Sequence, residues 1–224
     1  MNSKELKLKH PNLFSIIEEY YDIDNHNIDD TSKKILIDLI EDKLVNITNF
    51  RKNWTKGILK NISREVGYPT QGLTFGFIPN YGGMVEFSEN LCDDKKAITQ
   101  IQFYISLLRN VYTLQIVEIE ERRGFNKFLK QETNHQTLKE IWVSPGHRKY
   151  NKLYLQIESY LDEILINPFF LPFSIQGVKL DGVFMPHTPN EANTVGDAFF
   201  RKIHPLNDDF SIFGNPEHRI DELL

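Results

Sequence analysis

Two hydrophobic rhythms run along this chain, and the places where one gives way to the other divide it into elements. "NLFSIIEEYY" sets apolar residues at 13, 14, 16 and 17, then at 20 and 21, the spacing of a short helix. The polar run "DIDNHNIDDT" separates it from a longer helical region over 32–66, where Ile35, Leu36, Leu39, Ile40 and Leu44 share one face. Phe50, Trp54, Ile58, Ile62 and Val66 continue that period. Thr31 or Ser32 offers a cap at its start, and Gly67 with Pro69 beyond it gives a stop. The pattern leaves open whether 32–66 is one helix or two with a bend near 47–49.

From Gly72 the period falls to two. "TFGFIP" and "GMVEFS" read as strands joined by a turn at "NYGG". "QIQFYISL" sets Ile101, Phe103, Ile105 and Leu107 against Gln100, Gln102, Tyr104 and Ser106, as a half-buried strand does. Arg109 and Asn110 turn the chain into "VYTLQIVEIE", a charged loop spans 120–136, and "TLKEIWVS" supplies a further strand. Connections this short predict antiparallel neighbours. The helical period returns in "RKYNKLYLQIESYLDEILI", with Tyr150, Leu153, Tyr154, Ile157, Leu161, Ile164 and Leu165 on one stripe, ended by Asn167 and Pro168. Short strands are expected at "PFSIQGVKL" and "GVFM", and Thr194 with Asp197 forms a capping box before "AFFRKI".

These elements predict an α+β fold: an antiparallel β-meander of about five strands packed against an N-terminal helical region and a long helix near 147–166. One domain over 1–224 is expected, with a helical part at 12–66, the sheet at 72–144 and an aromatic-rich C-terminal part at 147–224. At 40% hydrophobic and 25% charged residues the chain has the composition of a folded protein rather than a disordered one. The first residues lack the apolar core of a secretory signal. "ILINPFFLPFSI" is broken by Pro168 and Pro172 and falls short of the roughly 20 apolar residues a bilayer requires, so no membrane association is predicted. Cys92 is the single cysteine, which excludes an internal disulfide and a Cys-rich zinc site and fits a reducing, cytoplasmic location.

Candidate chemistry is sparse. A phosphate loop needs glycines at a helix start, and a P-loop adds Lys followed by Ser or Thr, yet Gly82 and Gly83 lead into "MVEFS". The glycines therefore read as turn residues. His187, His204 and His218 lie near Asp197, Asp208 and Asp209, but in no metal-ligand spacing. His147 reads as part of a strand-to-helix connection, and Glu118 with Glu120 as a solvated strand face. Cys92 stands beside Asp93 and Asp94, which raise rather than lower a thiol pKa. No catalytic residue, metal ligand or cofactor is assigned.

Charge says more. The net charge of −5 argues against nucleic acid as the main partner, although Lys52, Lys56, Lys60 and Arg64 form a basic stripe at i+4 spacing. The segment 18–30 is acidic and holds no Lys or Arg. Its Glu18, Glu19, Asp22, Asp24, Asp29 and Asp30, with Tyr20 and Tyr21 as anchors, make the expected binding surface for a basic protein. In general character the chain resembles the bacterial immunity proteins that neutralise cognate toxins, with a central meander such as "IQFYISLLRNVYTLQIVEIE" and an aromatic-rich tail such as "TVGDAFFRKIHPL". That resemblance covers 72–213 in style and carries over no residue role. It implies a binding protein that occludes the active site of a protein toxin with a basic domain. The alternatives are an enzyme with a site built from His187, His204, Asp208 and Asp209, and a nucleic-acid-binding accessory protein. Oligomeric state is not readable from the sequence.

Overall fold

A computed structural model describes residues 1–21, 30–74, 78–126, 128, 131–183, 185, 193–200 and 210–223. Helices α1 (Ser3–Lys9), α2 (Pro11–Tyr20) and α3 (Asp30–Ile40) begin the chain. Past Ile40 the helix opens into a wider π turn, Glu41–Val45, in which the Asn46 amide donates to the Glu41 carbonyl at 2.8 Å. Asn46 then breaks the helix with an extended ψ of 98°, and its side chain caps the next one by accepting from the amides of Thr48 and Asn49. So 32–66 is two helices. The second comprises α4 (Ile47–Phe50), a π-helical stretch Arg51–Leu59 and α5 (Lys60–Val66), closed by Gly67 in the left-handed region.

Among the described residues seven strands form one mixed, mostly antiparallel sheet: β1 (Thr70–Gly72), β2 (Asn80–Cys92), β3 (Lys95–Ser106), β4 (Val111–Asn126), β5 (Gln131–Trp142), β6 (Phe169–Phe170) and β7 (Ser211–Phe213). The first five are an antiparallel meander, the α+β arrangement expected from the two periods. β6 adds to β4 and β7 to β5, both in parallel. Arg109 and Asn110 make the β3–β4 turn with φ of 59° and 55°.

Several elements depart from the sequence reading. "NYGG" is not a turn, because Asn80, Tyr81, Gly82 and Gly83 all belong to β2 and face Ser106, Ile105, Tyr104 and Phe103. Glycine is required at 83 for a packing reason: a Cβ there would lie 2.5 Å from the Phe103 ring directly opposite. The supposed loop 120–136 is largely strand, since β4 and β5 run on as a long hairpin paired from Glu120 and Thr137 out to Asn126 and Gln131. "PFSIQGVKL" holds the short helix α7 (Phe173–Gln176) instead of a strand, and beyond it a bridge joins Lys179 to Thr194. The capping box of Thr194 and Asp197 opens α8 (Val195–Phe199) as expected.

Both faces of the sheet are covered at its inner end. On one face Tyr81, Val85, Ile101, Phe103, Ile105, Tyr112, Leu114 and Ile116 pack with Trp54 and Ile62 of the second helix and with Leu153, Tyr154, Ile157 and Leu161 of α6 (Asn151–Ile164). On the other, Tyr104 joins Leu108 and Val111 in a cluster filled from α1–α3, α7 and α8. Gln102, Tyr104 and Ser106, which the alternation assigned to solvent, are therefore buried. Their polar atoms are satisfied laterally: Gln102 donates to Gln100 at 2.6 Å and accepts from Tyr104 at 3.1 Å and Gln115 at 3.0 Å.

Candidate functional site

The densest polar constellation joins β4, α6 and the C-terminal segment. A turn with Arg219 at φ 61° precedes the last short helical turn, Ile220–Leu223. Arg219 forks onto Asp162 at 2.8 and 3.0 Å, donates to the Tyr112 hydroxyl, and reaches Glu222 at 2.6 Å. The Tyr112 hydroxyl in turn donates a hydrogen bond to Asp162 at 2.6 Å. Beside it His218 Nε2 meets Glu158 Oε1 at 2.8 Å. A carboxylate only accepts, so Nε2 carries the proton. The guanidinium also lies over the rings of Tyr112 and Phe170, 5.7 and 5.4 Å from their centroids.

Burial, reinforced by the hydrogen bond to Asp162, pushes the Tyr112 hydroxyl well above the ordinary tyrosine range. Burial alone would lower the Arg219 pKa, but the bonds to Glu222 and Asp162 outweigh it and raise it. The cluster contains a histidine–carboxylate pair, a phenol and a guanidinium, the groups of an acid–base site. Their functional atoms point at one another, and they fasten the C-terminal segment across α6. Phe213 of β7 stacks on Trp142 of β5 at 4.9 Å, and Leu223 is buried beside His10, whose Nδ1 lies 3.4 Å from its carbonyl oxygen.

His147 repeats this economy at the start of α6. Its Nδ1 accepts from the amides of Lys149 and Tyr150 at 3.2 and 3.1 Å, so Nε2 bears the proton and donates to Glu118 at 2.8 Å. The ring sits against Trp142 and Tyr150. Glu120 pairs with Arg122 at 2.6 Å and does not share a site with Glu118. His147 is thus a structural pin between β4 and α6, which the residue types did not announce.

The acidic segment is divided by the fold. Glu18 accepts from Lys7 at 2.6 Å, and Glu19 is forked by Arg109 at 2.8 and 3.1 Å, so both charges are locally neutralised. Tyr20 is half-buried, its pKa raised by burial and by Glu19. Tyr21 is a core residue rather than a surface anchor: it is 2% exposed and donates to the Ala198 carbonyl at 2.7 Å. Asp30 starts α3, while Asp22, Asp24 and Asp29 lie outside the described residues. So do His187, His204, Asp208 and Asp209. Asp197 is spent on the α8 cap.

The basic stripe has the opposite character. Lys52, Lys56 and Lys60 of the stripe, and Arg51 beside them, are exposed and make no ion pair among the described residues, while Arg64 donates to Asn61 at 3.3 Å. The π-helical stretch closes with the Lys60 amide bonding the Thr55 carbonyl, five residues back, so the i+4 stripe is redrawn. Thr48, Arg51, Lys52, Lys56 and Gly57 surround an open depression of about 440 Å³. Smaller hollows occur at the β2–β3 hairpin tip around Cys92 and between α5 and α6. Among the described residues no group of three or more His, Cys, Asp or Glu side chains is placed to hold a metal ion, and no helix is long and apolar enough to cross a membrane. No protein-family model matches this chain, and no curated protein or solved structure matches it either.

Proposed function

We propose that this is a binding protein of the toxin-neutralising kind, which holds a rigid sheet scaffold against a protein toxin and occludes the toxin's active site. The observation that carries the reading is the self-saturation of the two histidine–carboxylate pairs. His147 and His218 each spend a ring N–H on a carboxylate at 2.8 Å, and the neighbouring phenol and guanidinium are engaged in the same way. Groups paired like this hold β4, α6 and the C-terminal segment together as a rigid scaffold. What is left for function is the surface, which suits recognition.

In this reading Asp22, Asp24, Asp29 and Asp30 supply the negative charge that steers a basic toxin domain, because Glu18 and Glu19 are already paired with Lys7 and Arg109. Its test is direct. The tagged protein is used to capture its partner, the partner is expressed alone and together with this chain, and growth and the partner's activity are measured. Stoichiometric loss of toxicity on co-expression is expected. A captured partner that is equally toxic with and without this chain would sink the reading.

A further inference from the structure

The second helix has an inner half that is fixed and an outer half that is unusual. Inside, Trp54 is 1% exposed and stacks flat on Tyr81, with ring centroids 5.0 Å apart and an interplanar angle of 1°. Leu59 and Ile62 continue that contact into the core. Outside, hydrogen bonds spanning five residues widen the turn from Arg51 to Leu59. π-Helical geometry is rare and concentrates at functional positions.

The sequence accommodates the wide turn with Gly57. A Cβ at that position would stand 2.9 Å from the Lys52 carbonyl oxygen, closer than real side chains approach. In such a turn residues five apart stack, which aligns Lys56 with Arg51 and Gly57 with Lys52. The missing side chain at 57 leaves the floor of the depression, and Thr48, Arg51, Lys52 and Lys56 form its rim. One turn earlier stand two aliphatic residues at the surface, Val45 at 56% and Ile47 at 61% exposed.

The chemistry of this face selects its occupant. Cations without in-chain partners call for carboxylates or phosphates. Binding to a nucleic-acid strand without sequence preference uses exposed aromatic platforms. The aromatics of this helix, Phe50 and Trp54, pack inward with the core. Aliphatic anchors beside cations match an acidic protein segment, in which charge steers and an apolar side chain holds. We propose that the exposed surface around Arg51, Lys52 and Lys56, with Val45 and Ile47 just before them in the chain, docks an acidic segment of another protein, its carboxylates meeting the three cations around the depression and an aliphatic side chain lying on Ile47. This goes beyond the function proposed above, because the site stands whether or not the partner is a toxin.

The test titrates isotope-labelled full-length protein with a short synthetic peptide of Glu and Leu, and in parallel with a single-stranded oligonucleotide of equal charge. Saturable shifts confined to the amides of 45–57 are expected with the peptide. Lys52→Glu combined with Lys56→Glu weakens that binding by about tenfold or more, and Ile47→Ser weakens it severalfold with the charges intact. Equal or tighter binding of the oligonucleotide at this face overturns the proposal in favour of a nucleic-acid surface. So do shifts spread over the molecule, no saturation, or an affinity unmoved by the charge reversal. Failure of toxin protection alongside peptide binding at 45–57 would remove the toxin reading and leave this site standing.

Discussion

Arg219 is ringed by Asp162, Glu158, Glu222 and Tyr112, whereas Arg51, Lys52 and Lys56 stand on an exposed helix face with no carboxylate in ion-pair reach among the described residues. Both regions are rich in charge, and both look functional when only residue types are counted. The difference lies in where the charge is spent. In the C-terminal seam each cation is matched, so its removal is felt as lost stability. On the second helix no ion pair among the described residues holds the cations, so their removal should cost little stability.

The sharpest way to break this contrast is to remove the matched cation. Arg219→Ala leaves Asp162 to the Tyr112 hydroxyl and Glu158 to His218 but removes the fork that ties the C-terminal segment to α6, and a loss of about 2 kcal/mol in denaturant unfolding is expected. A loss below the size of a surface substitution would mean that the seam does not hold the C-terminal segment. Alkaline titration probes both regions at once. Burial, with a contribution from Asp42, pushes Tyr81 under the second helix up to about 12, and Tyr112 in the seam is raised further. A raised folded-state pKa means that the neutral phenol is favoured by folding. Stability is therefore full below the unfolded tyrosine value near 10 and falls as pH rises toward about 12, by about 1 kcal/mol for Tyr81 after solvent screening. Unfolding midpoints that stay flat across that window would contradict the burial of these hydroxyls.

Gly57→Ala sharpens the other side of the comparison. In an ordinary helix alanine stabilises by about 1 kcal/mol over glycine, but here its Cβ meets the Lys52 carbonyl. A destabilisation of about 1 kcal/mol is expected, and a gain in thermal midpoint would argue for a regular α-helical turn. The smallest effect belongs to Lys52→Glu with Lys56→Glu, which should leave unfolding free energy within about 0.5 kcal/mol of the parent. A larger fall would show that these lysines have structural work after all.

Much of the fold was legible because its strongest elements carry clean periods. Helix α6 repeats its apolar stripe without interruption, and β3 alternates from Ile101 to Ile105. Reading failed where a residue type has two physical uses. Gly82 and Gly83 suggested a turn because glycine tolerates unusual dihedrals, yet Gly83 is needed for the space its side chain does not fill, a demand made by Phe103 from the neighbouring strand. Gln102 and Ser106 suggested solvent because they are polar, but a lateral network satisfies them in the interior. The C-terminal contacts were invisible for a different reason. His218 and Arg219 find Glu158 and Asp162 about sixty residues away, a separation no local pattern encodes. Of the proposed acidic surface, the identity of the acids was plain, but their neutralisation by Lys7 and Arg109 and the inward turn of Tyr21 depend on tertiary placement. The basic stripe was visible as spacing, while the π-helical widening that builds its depression was not.

The contact between His10 and Leu223 spans 213 positions, and Leu223 is buried in the same cluster as Leu6, Leu13 and Ile17. On a translating ribosome the apolar faces of α1 and α2 emerge ahead of their partners and can finish their core only after residues 210–223 have been made. Closure over so long a separation is slow to find. Throughout synthesis those first two helices stay exposed to whatever chaperone or aggregating neighbour reaches them before their own distant partner does.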